Sequence, residues 1–130
     1  MVWTVFDYLY RDAYNHKAFG KVAFGGSASS DAWERAFQKL DDGSLFIAEQ
    51  IGLPALCGQL FRWSGGRPTD ADHCWHEFVS VSVIEEGDLP PAVLRLGEAK
   101  AFVELLSCIE EWDIWLSPNV ECGIPLWNKP

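Results

Sequence analysis

Residues 70–78 concentrate the side chains of this chain that could do chemistry. Within this segment lie two of the three histidines, three carboxylates and one thiol. Imidazole nitrogens and carboxylate oxygens suit zinc, manganese or iron, and a carboxylate of raised pKa can act as a general acid or base. The segment reads Asp70-Ala71-Asp72-His73-Cys74-Trp75-His76-Glu77-Phe78. It is therefore the first candidate for a functional site.

A metal-dependent enzyme is one interpretation of this segment. If the chain is already extended at His73, that side chain and Glu77 point to the same face, because side chains alternate along a strand. Asp70 or Asp72 would then fold back from the loop to complete a ligand set for zinc, manganese or iron. This arrangement predicts a small metal-dependent hydrolase centred on residues 70–77.

Nucleophilic chemistry is a second interpretation. Cys74 and His76 are two residues apart, so on a strand they share a face, and the imidazole could lower the pKa of the thiol. The pattern contains no third residue that would orient the imidazole. We therefore predict no catalytic residue here.

A structural interpretation explains the same residues without chemistry. Glu77 shares a predicted strand face with valines, and an ionised carboxylate there needs a partner. Arg11, at the end of the first predicted strand, is the natural candidate, and such a pair would help to specify the fold. Asp70 or Asp72 could cap the preceding turn, and His76 could hydrogen-bond a neighbouring strand.

The loop before this segment has the residue types of a binding surface. Trp63 is followed by Arg67 on a glycine-rich turn, and both residue types are common in interface hot spots. Seven tryptophans are many for 130 residues to bury, so some are expected at the surface. Trp112 and Trp115 either extend that surface or, as their helical spacing favours, complete the core. The expected binding residues are Arg11, Trp63, Arg67, Asp70, Asp72, His73, Trp75, His76 and Glu77.

The elements that position these residues follow from the apolar pattern. Residues 2–11 are apolar on both alternating faces, which predicts a central strand that forms an antiparallel hairpin with residues 17–24. A helix is expected to begin at Asp31, because Glu34 completes a capping box. Further elements are predicted as strands over 44–51 and 75–84 and a helix over 97–112. In the fourth strand Val79, Val81 and Val83 should share a face with Glu77.

The element order is strand, strand, helix, strand, strand, helix. It fits an α+β fold, with a four-stranded, mainly antiparallel sheet and two helices packed on one face. The length is that of one domain, and no linker or internal repeat divides residues 1–130.

Charge and cysteine usage narrow the functional classes. Nineteen acidic and ten basic residues give a formal net charge of −9, which disfavours a nucleic acid or an anionic membrane as partner and allows a basic protein. No secretory signal or membrane span is recognisable, and the four cysteines lack paired spacing, so reduced thiols in the cytoplasm are expected. The preferred interpretation is a non-catalytic protein-interaction protein of immunity or inhibitor type, with no cofactor.

Three segments carry a resemblance to a known family. They are Leu9-Tyr10-Arg11-Asp12-Ala13, Ser44-Leu45-Phe46-Ile47-Ala48-Glu49-Gln50-Ile51-Gly52-Leu53-Pro54 and Asp72-His73-Cys74-Trp75-His76-Glu77-Phe78. In combination and order they resemble segments of a family of small uncharacterised bacterial proteins, over about the first two thirds of the chain. The resemblance implies a bacterial or phage-borne cytosolic protein and transfers no activity.

Overall fold

A computed structural model describes residues 1–63 and 71–117 of the chain. In this part the fold is α+β, as expected, with five strands and two α-helices. The strands are β1 (Val2–Arg11), β2 (Lys17–Gly25), β3 (Leu45–Phe46), β4 (His76–Glu85) and β5 (Leu94–Glu98); the helices are α1 (Ser30–Phe37) and α2 (Ala99–Ser107). Short 3-10 turns span Ala48–Ile51, Cys57–Trp63, Glu86–Asp88 and Ile114–Leu116.

The sheet has the strand order β3-β4-β1-β2-β5, so β1 is the central strand, as its two apolar faces predict. It pairs antiparallel with β2 from Trp3 opposite Gly25 to Arg11 opposite Lys17, which confirms the hairpin. On its other side it pairs antiparallel with β4. The end of the segment that carries the candidate site is thereby paired with β1, Glu77 with Leu9 and Phe78 with Tyr8.

The prediction of four strands was wrong, because β5 was missed. This strand has only five residues, follows Pro90 and Pro91, and runs parallel to β2, so the sheet is mixed. Leu94 and Leu96 alternate with Arg95 and Gly97, but this short alternation runs directly into the helical pattern predicted from residue 97. The presence of β5 also shortens the second helix, which begins at Ala99 rather than at residue 97.

Both helices pack on the same face of the sheet, as predicted. The main core joins Phe6 and Tyr8 of β1 to Trp33 of α1 and to Phe102 and Leu106 of α2. On the opposite face, the described residues form a small cluster of Val5, Ala23 and Leu89 with partly buried neighbours. Among the described helices, none is long and apolar enough to cross a membrane.

Three element boundaries differ from the predictions. The first helix is capped by Ser29, whose hydroxyl accepts the N–H of Ala32 at 3.1 Å, and this places Asp31 in the first turn rather than at the cap. The third strand stops at Phe46 and the chain continues as a 3-10 turn that buries Ala48 and Ile51. The second helix stops at Ser107, although Trp112 still packs on the core from an irregular segment.

The predicted alternation along β4 was also wrong beyond Phe78. Tyr8 lies opposite Phe78 and Asp7 lies opposite Ser80, so Val79 is an extra residue that forms a bulge. Because one extra residue reverses the facing of all that follow, Val81 lies opposite Phe6 and packs on the main core. Glu77 lies opposite Leu9 and is separated from Val81 by this reversal.

Candidate functional site

The segment predicted as a site lies where the end of β1 meets the start of β4. Tyr10, a buried residue of β1, joins the two. Its hydroxyl donates a hydrogen bond to Oδ1 of Asp72 at 2.6 Å and accepts one from the backbone N–H of His73 at 3.1 Å. Burial and the bond to Asp72 raise the pKa of Tyr10 above its ordinary value. The phenol therefore stays protonated and holds the loop against the strand.

His73 uses both of its ring nitrogens to bind backbone groups. Nδ1 accepts the N–H of Trp75 at 3.0 Å, so the proton of the neutral ring lies on Nε2, which donates to the carbonyl of Arg11 at 2.6 Å. Burial lowers the pKa of His73 below its usual value, which favours this neutral form. The imidazole links the end of β1 to the beginning of β4.

His76 is the first residue of β4 and is almost completely buried. Its Nε2 accepts the backbone N–H of Leu56 at 3.0 Å, so the neutral ring carries its proton on Nδ1. Burial lowers the pKa of His76 to about 3, and the Cys74 backbone offsets this only in part. Among the described residues, none offers Nδ1 a hydrogen bond of good geometry. The ring packs between Tyr8, Tyr10 and Phe46.

Glu77 and Arg11 form the ion pair that the structural interpretation predicts. Nε of Arg11 lies 3.0 Å from Oε2 of Glu77, and its Nη1 donates to Oδ1 of Asn15 at 2.7 Å. Both members of the pair remain partly exposed, so water screens the attraction and its contribution to stability is small. The pair lies on the sheet face opposite to the main core, away from the buried ring of His76.

Cys74 and Trp75 belong to the core. Both are buried in a second apolar cluster with Leu45 and Ile47. Burial raises the pKa of the Cys74 thiol to about 11, so the thiolate that a nucleophile requires is disfavoured at neutral pH. Trp75 was predicted among the binding residues, and the structure places its side chain inside the protein.

Two further polar residues, Tyr8 and Asp12, support this network and were missed in the sequence. The hydroxyl of Tyr8 donates to the carbonyl of Pro54 at 2.6 Å. Asp12, in the turn after β1, accepts the N–H groups of Tyr14 and His16, both at 2.9 Å. The available signals were two tyrosines on one strand face, whose hydroxyls need partners when buried, and an aspartate at a hairpin turn.

The predicted site is therefore brought together only in part. Asp72, His73 and His76 lie in one buried network around Tyr10, whereas Glu77 and Arg11 pair at the surface of the other face. Arg67 and Asp70 lie outside the described residues, and so does the side chain of Trp63. Asp72 and both histidines were expected at a binding surface and are instead buried.

The two imidazoles of this network do not fit a metal centre. At each of them the lone pair that a metal would take already accepts a backbone N–H, from Trp75 at His73 and from Leu56 at His76. In residues 1–63 and 71–117, no three side chains among His, Cys, Asp and Glu are grouped so that they could hold a metal ion. The role of this network is to provide hydrogen-bond partners for buried backbone groups.

An exposed surface lies instead after α2, at the 3-10 turn Ile114–Leu116. Trp115 is 65% exposed, and Leu116 is also exposed. The turn begins with Asp113, whose Oδ1 accepts the N–H of Trp115 at 3.1 Å, and Glu110 and Glu111 are exposed just before it. We call residues 110–116 the acidic-aromatic surface.

This surface is fixed to the rest of the fold by side-chain hydrogen bonds. Gln50 donates to the carbonyl of Glu111 at 3.0 Å and accepts the N–H of Asp113 at 2.7 Å. Nε1 of Trp112 donates to the carbonyl of Lys39 at 2.9 Å, and its ring packs on both apolar clusters. Trp112 therefore completes the core, as expected, whereas Trp115 does not.

Comparison with protein-family models, curated proteins and solved structures finds no significant match to this chain. The resemblance to a family of small bacterial proteins therefore stays a prediction. The functional argument rests on the geometry of the described residues.

Proposed function

We propose that this chain is a small cytoplasmic protein-interaction protein, of immunity or inhibitor type, that binds a basic protein without catalysing a reaction. The observation that carries the proposal is the acidic-aromatic surface. There a tryptophan is presented to solvent beside three exposed carboxylates, Glu110, Glu111 and Asp113. A large aromatic side chain provides an anchor for a partner, and the surrounding carboxylates favour a partner of positive charge.

The anchoring of this surface supports its role in binding. Because Gln50 binds the backbone of Glu111 and Asp113 and Trp112 is bonded to Lys39, the turn that carries Trp115 starts from a defined position. A partner that binds a preorganised side chain loses less conformational entropy than one that must first order a loop. The site is thus better suited to specific binding than an exposed tryptophan on an unsupported segment.

The overall charge supports a basic partner. With a formal net charge of −9, the chain attracts cationic proteins over long range and repels nucleic acids and anionic membranes. Such attraction raises the association rate and is weakened by salt. Association should therefore become slower as ionic strength increases.

Residues 72–77 contribute to this function only by supporting the fold. His73 and His76 are buried, neutral and bonded to backbone groups, so a partner cannot reach them. No observation in the described part of the chain favours the metal-dependent hydrolase that the same residues suggest.

Site-directed photo-crosslinking tests the proposal. A photoreactive phenylalanine analogue replaces Trp115 in one sample and Tyr14, an exposed aromatic residue of the β1–β2 turn, in a matched control. The two samples are irradiated in lysate of the source cells, and a protein captured only at position 115 is purified for titration. We expect Trp115→Ala to weaken its binding roughly thirtyfold, the effect of a hot-spot residue, and Tyr14→Ala to leave it unchanged.

Charge is tested with two variants of equal net charge. Glu110→Gln with Glu111→Gln removes two charges beside Trp115, and Asp31→Asn with Glu34→Gln removes two from α1. The first pair should slow association, and reduce its dependence on salt, more than the second pair does. Equal effects of both pairs, or unchanged binding by Trp115→Ala, would contradict the proposal.

A further inference from the structure

The two ends of β4 differ in what lies beside them. At its start, β3 pairs with His76 and Glu77, and the N–H of Phe78 donates to the carbonyl of Ser44 at 2.8 Å. From Ser80, just after the bulged Val79, to Glu85 the strand is paired with β1 on one side, and no described strand lies on the other. We call residues 79–85 the open edge.

The open edge is accessible. Val79 and Val83 are 50% and 53% exposed, and Ser80, Ser82 and Glu85 are also exposed. Every second residue of an edge strand directs its N–H and C=O groups away from its neighbour, where another strand can bind them. The edge is therefore able to accept a further strand.

Apart from the bulge at Val79, the open edge lacks the features that usually prevent such pairing. From residue 78 to residue 84 the sequence is Phe-Val-Ser-Val-Ser-Val-Ile, without a charge or a proline. The other edge of the sheet differs: β5 has five residues and carries Arg95, Gly97 and Glu98. Charges, glycine and short length discourage strand addition at β5 and are absent from residues 79–84.

The sequence of the open edge is complementary to itself. If two copies pair antiparallel about Ser82, the middle residue, Val81 lies opposite Val83 of the second copy and Ser82 lies opposite Ser82. Glu85 then lies opposite Val79, so no like charges meet. An axis at Val81 would instead place Glu85 opposite Glu77, whose edge is already occupied by β3. Pairing about Ser82 avoids both problems.

We propose that the open edge binds a second copy of this chain, by antiparallel pairing of residues 79–85 about a two-fold axis at Ser82. The pairing joins the two sheets into one and uses the same surface of both copies. A second copy is favoured over a basic partner here because residues 79–84 offer no charge, whereas the acidic-aromatic surface does. The proposal does not depend on the function proposed for that surface.

Salt distinguishes the two interactions. Two copies of net charge −9 repel each other, and the open edge provides hydrogen bonds and apolar contact rather than charge attraction. Screening of the repulsion should therefore strengthen the dimer as ionic strength rises. Binding of a basic protein should weaken over the same range.

Disulfide trapping tests the register. Ser82→Cys is made in a background with Cys108→Ser and Cys122→Ser, and Ser80→Cys in the same background is the control. Opposed residues at a two-fold axis have Cβ atoms close enough for a disulfide, whereas residue 80 faces Ile84 of the second copy. We expect a covalent dimer from Ser82→Cys under mild oxidation and little from Ser80→Cys. Equal trapping at both positions would overturn the register.

Charge complementation tests the interface without oxidation. Ser82→Lys and Ser82→Glu each place like charges opposite one another, so both variants should be monomeric by analytical ultracentrifugation under conditions where the unaltered chain dimerises. Mixed in equal amounts, they should form a heterodimer. A monomeric unaltered chain, or a mixture that stays monomeric, would overturn the proposal. Circular dichroism of each variant verifies that the fold is retained.

Discussion

The two halves of β4 differ both in the reactivity of their residue types and in their exposure to solvent. Residues 76–78 include an imidazole and a carboxylate, yet His76 is buried and bonded to Leu56, and Glu77 is paired with Arg11. Residues 79–85 are mainly valine and serine, yet they are exposed along an open edge. The half with the more reactive residue types stabilises the fold, and the half with the less reactive types is largely exposed to solvent. Residue type alone therefore does not locate a functional surface.

Removal of the His76 side chain should cause a large loss of stability. His76→Ala leaves a cavity between Tyr8, Tyr10 and Phe46 and removes the acceptor of the Leu56 N–H, so we expect a loss of about 3 kcal/mol or more in the free energy of unfolding. Ser80→Ala, in the exposed half of the strand, should change it by less than about 0.5 kcal/mol. Urea unfolding measures both. Similar losses of unfolding free energy in the two variants would contradict the view that only the first half of β4 is important for stability.

Acid should destabilise the protein through its buried histidines. Because burial lowers the folded-state pKa of His76 to about 3, the unfolded chain binds a proton at this residue below about pH 6.5 and the folded chain does not. The contribution is fully present above that pH and is lost as pH falls towards 3. His73, with its pKa also lowered, acts in the same direction.

The pH dependence has a measurable slope. Each such histidine contributes up to about 1.4 kcal/mol per pH unit to the loss of stability. His76→Gln, which keeps an acceptor for the Leu56 N–H and does not titrate, should reduce the slope between pH 6 and 4, a range set by the reference pKa of about 6.5 and the lowered one. His16→Gln, at an exposed histidine, is the control. An unchanged slope in the first variant would mean that His76 takes up its proton in the folded state.

The surface ion pair should contribute little. Glu77→Gln removes its attraction to Arg11, but both side chains are partly exposed, so we expect a loss of about 0.2–1 kcal/mol that diminishes at high salt. A double-mutant cycle with Arg11→Met isolates the interaction energy of the pair from other effects. A coupling energy above this range would show that the Arg11–Glu77 pair is shielded from water, like the buried residues of the strand.

Loss of the Trp115 side chain should have the smallest effect on folding. Because this indole is 65% exposed, Trp115→Ala should change the free energy of unfolding by less than about 0.5 kcal/mol. Trp75→Ala, at a buried indole, should cost about 3–5 kcal/mol. Thermal unfolding of Trp115→Ala and Trp75→Ala measures both changes in stability. A large loss in the first would show that Trp115 serves the fold rather than a partner.

Much of the fold could be predicted because local patterns report it. The apolar faces of residues 2–11 predicted the central strand, and the hairpin with β2 followed from alternation across a polar turn. The Arg11–Glu77 pair could be predicted since a carboxylate among apolar residues requires a partner. The strand β5 could not, because a parallel edge strand of five residues depends on a partner that is distant in sequence.

The candidate site was harder to predict than the fold. The sequence located the histidines and Asp72 but could not show that Tyr10, Arg11 and Leu56 would satisfy them. The partners come from β1 and from the loop before residue 57, and their approach depends on tertiary packing. The bulge at Val79 was equally hidden, since it exists only in the pairing of β4 with β1.

The sequence by itself determined the α+β class, the central hairpin, the acidic charge and the identity of the residues that could do chemistry. These features depend on composition and on the periodicity of residue types along the chain. Both involve only residues that are close together in sequence. Only the tertiary structure decided that His73 and His76 are buried and neutral, that Trp75 is inside while Trp115 is outside, and that half of β4 remains open at an edge. Burial and hydrogen-bond partners belong to the packed molecule, because both depend on which distant segments come together.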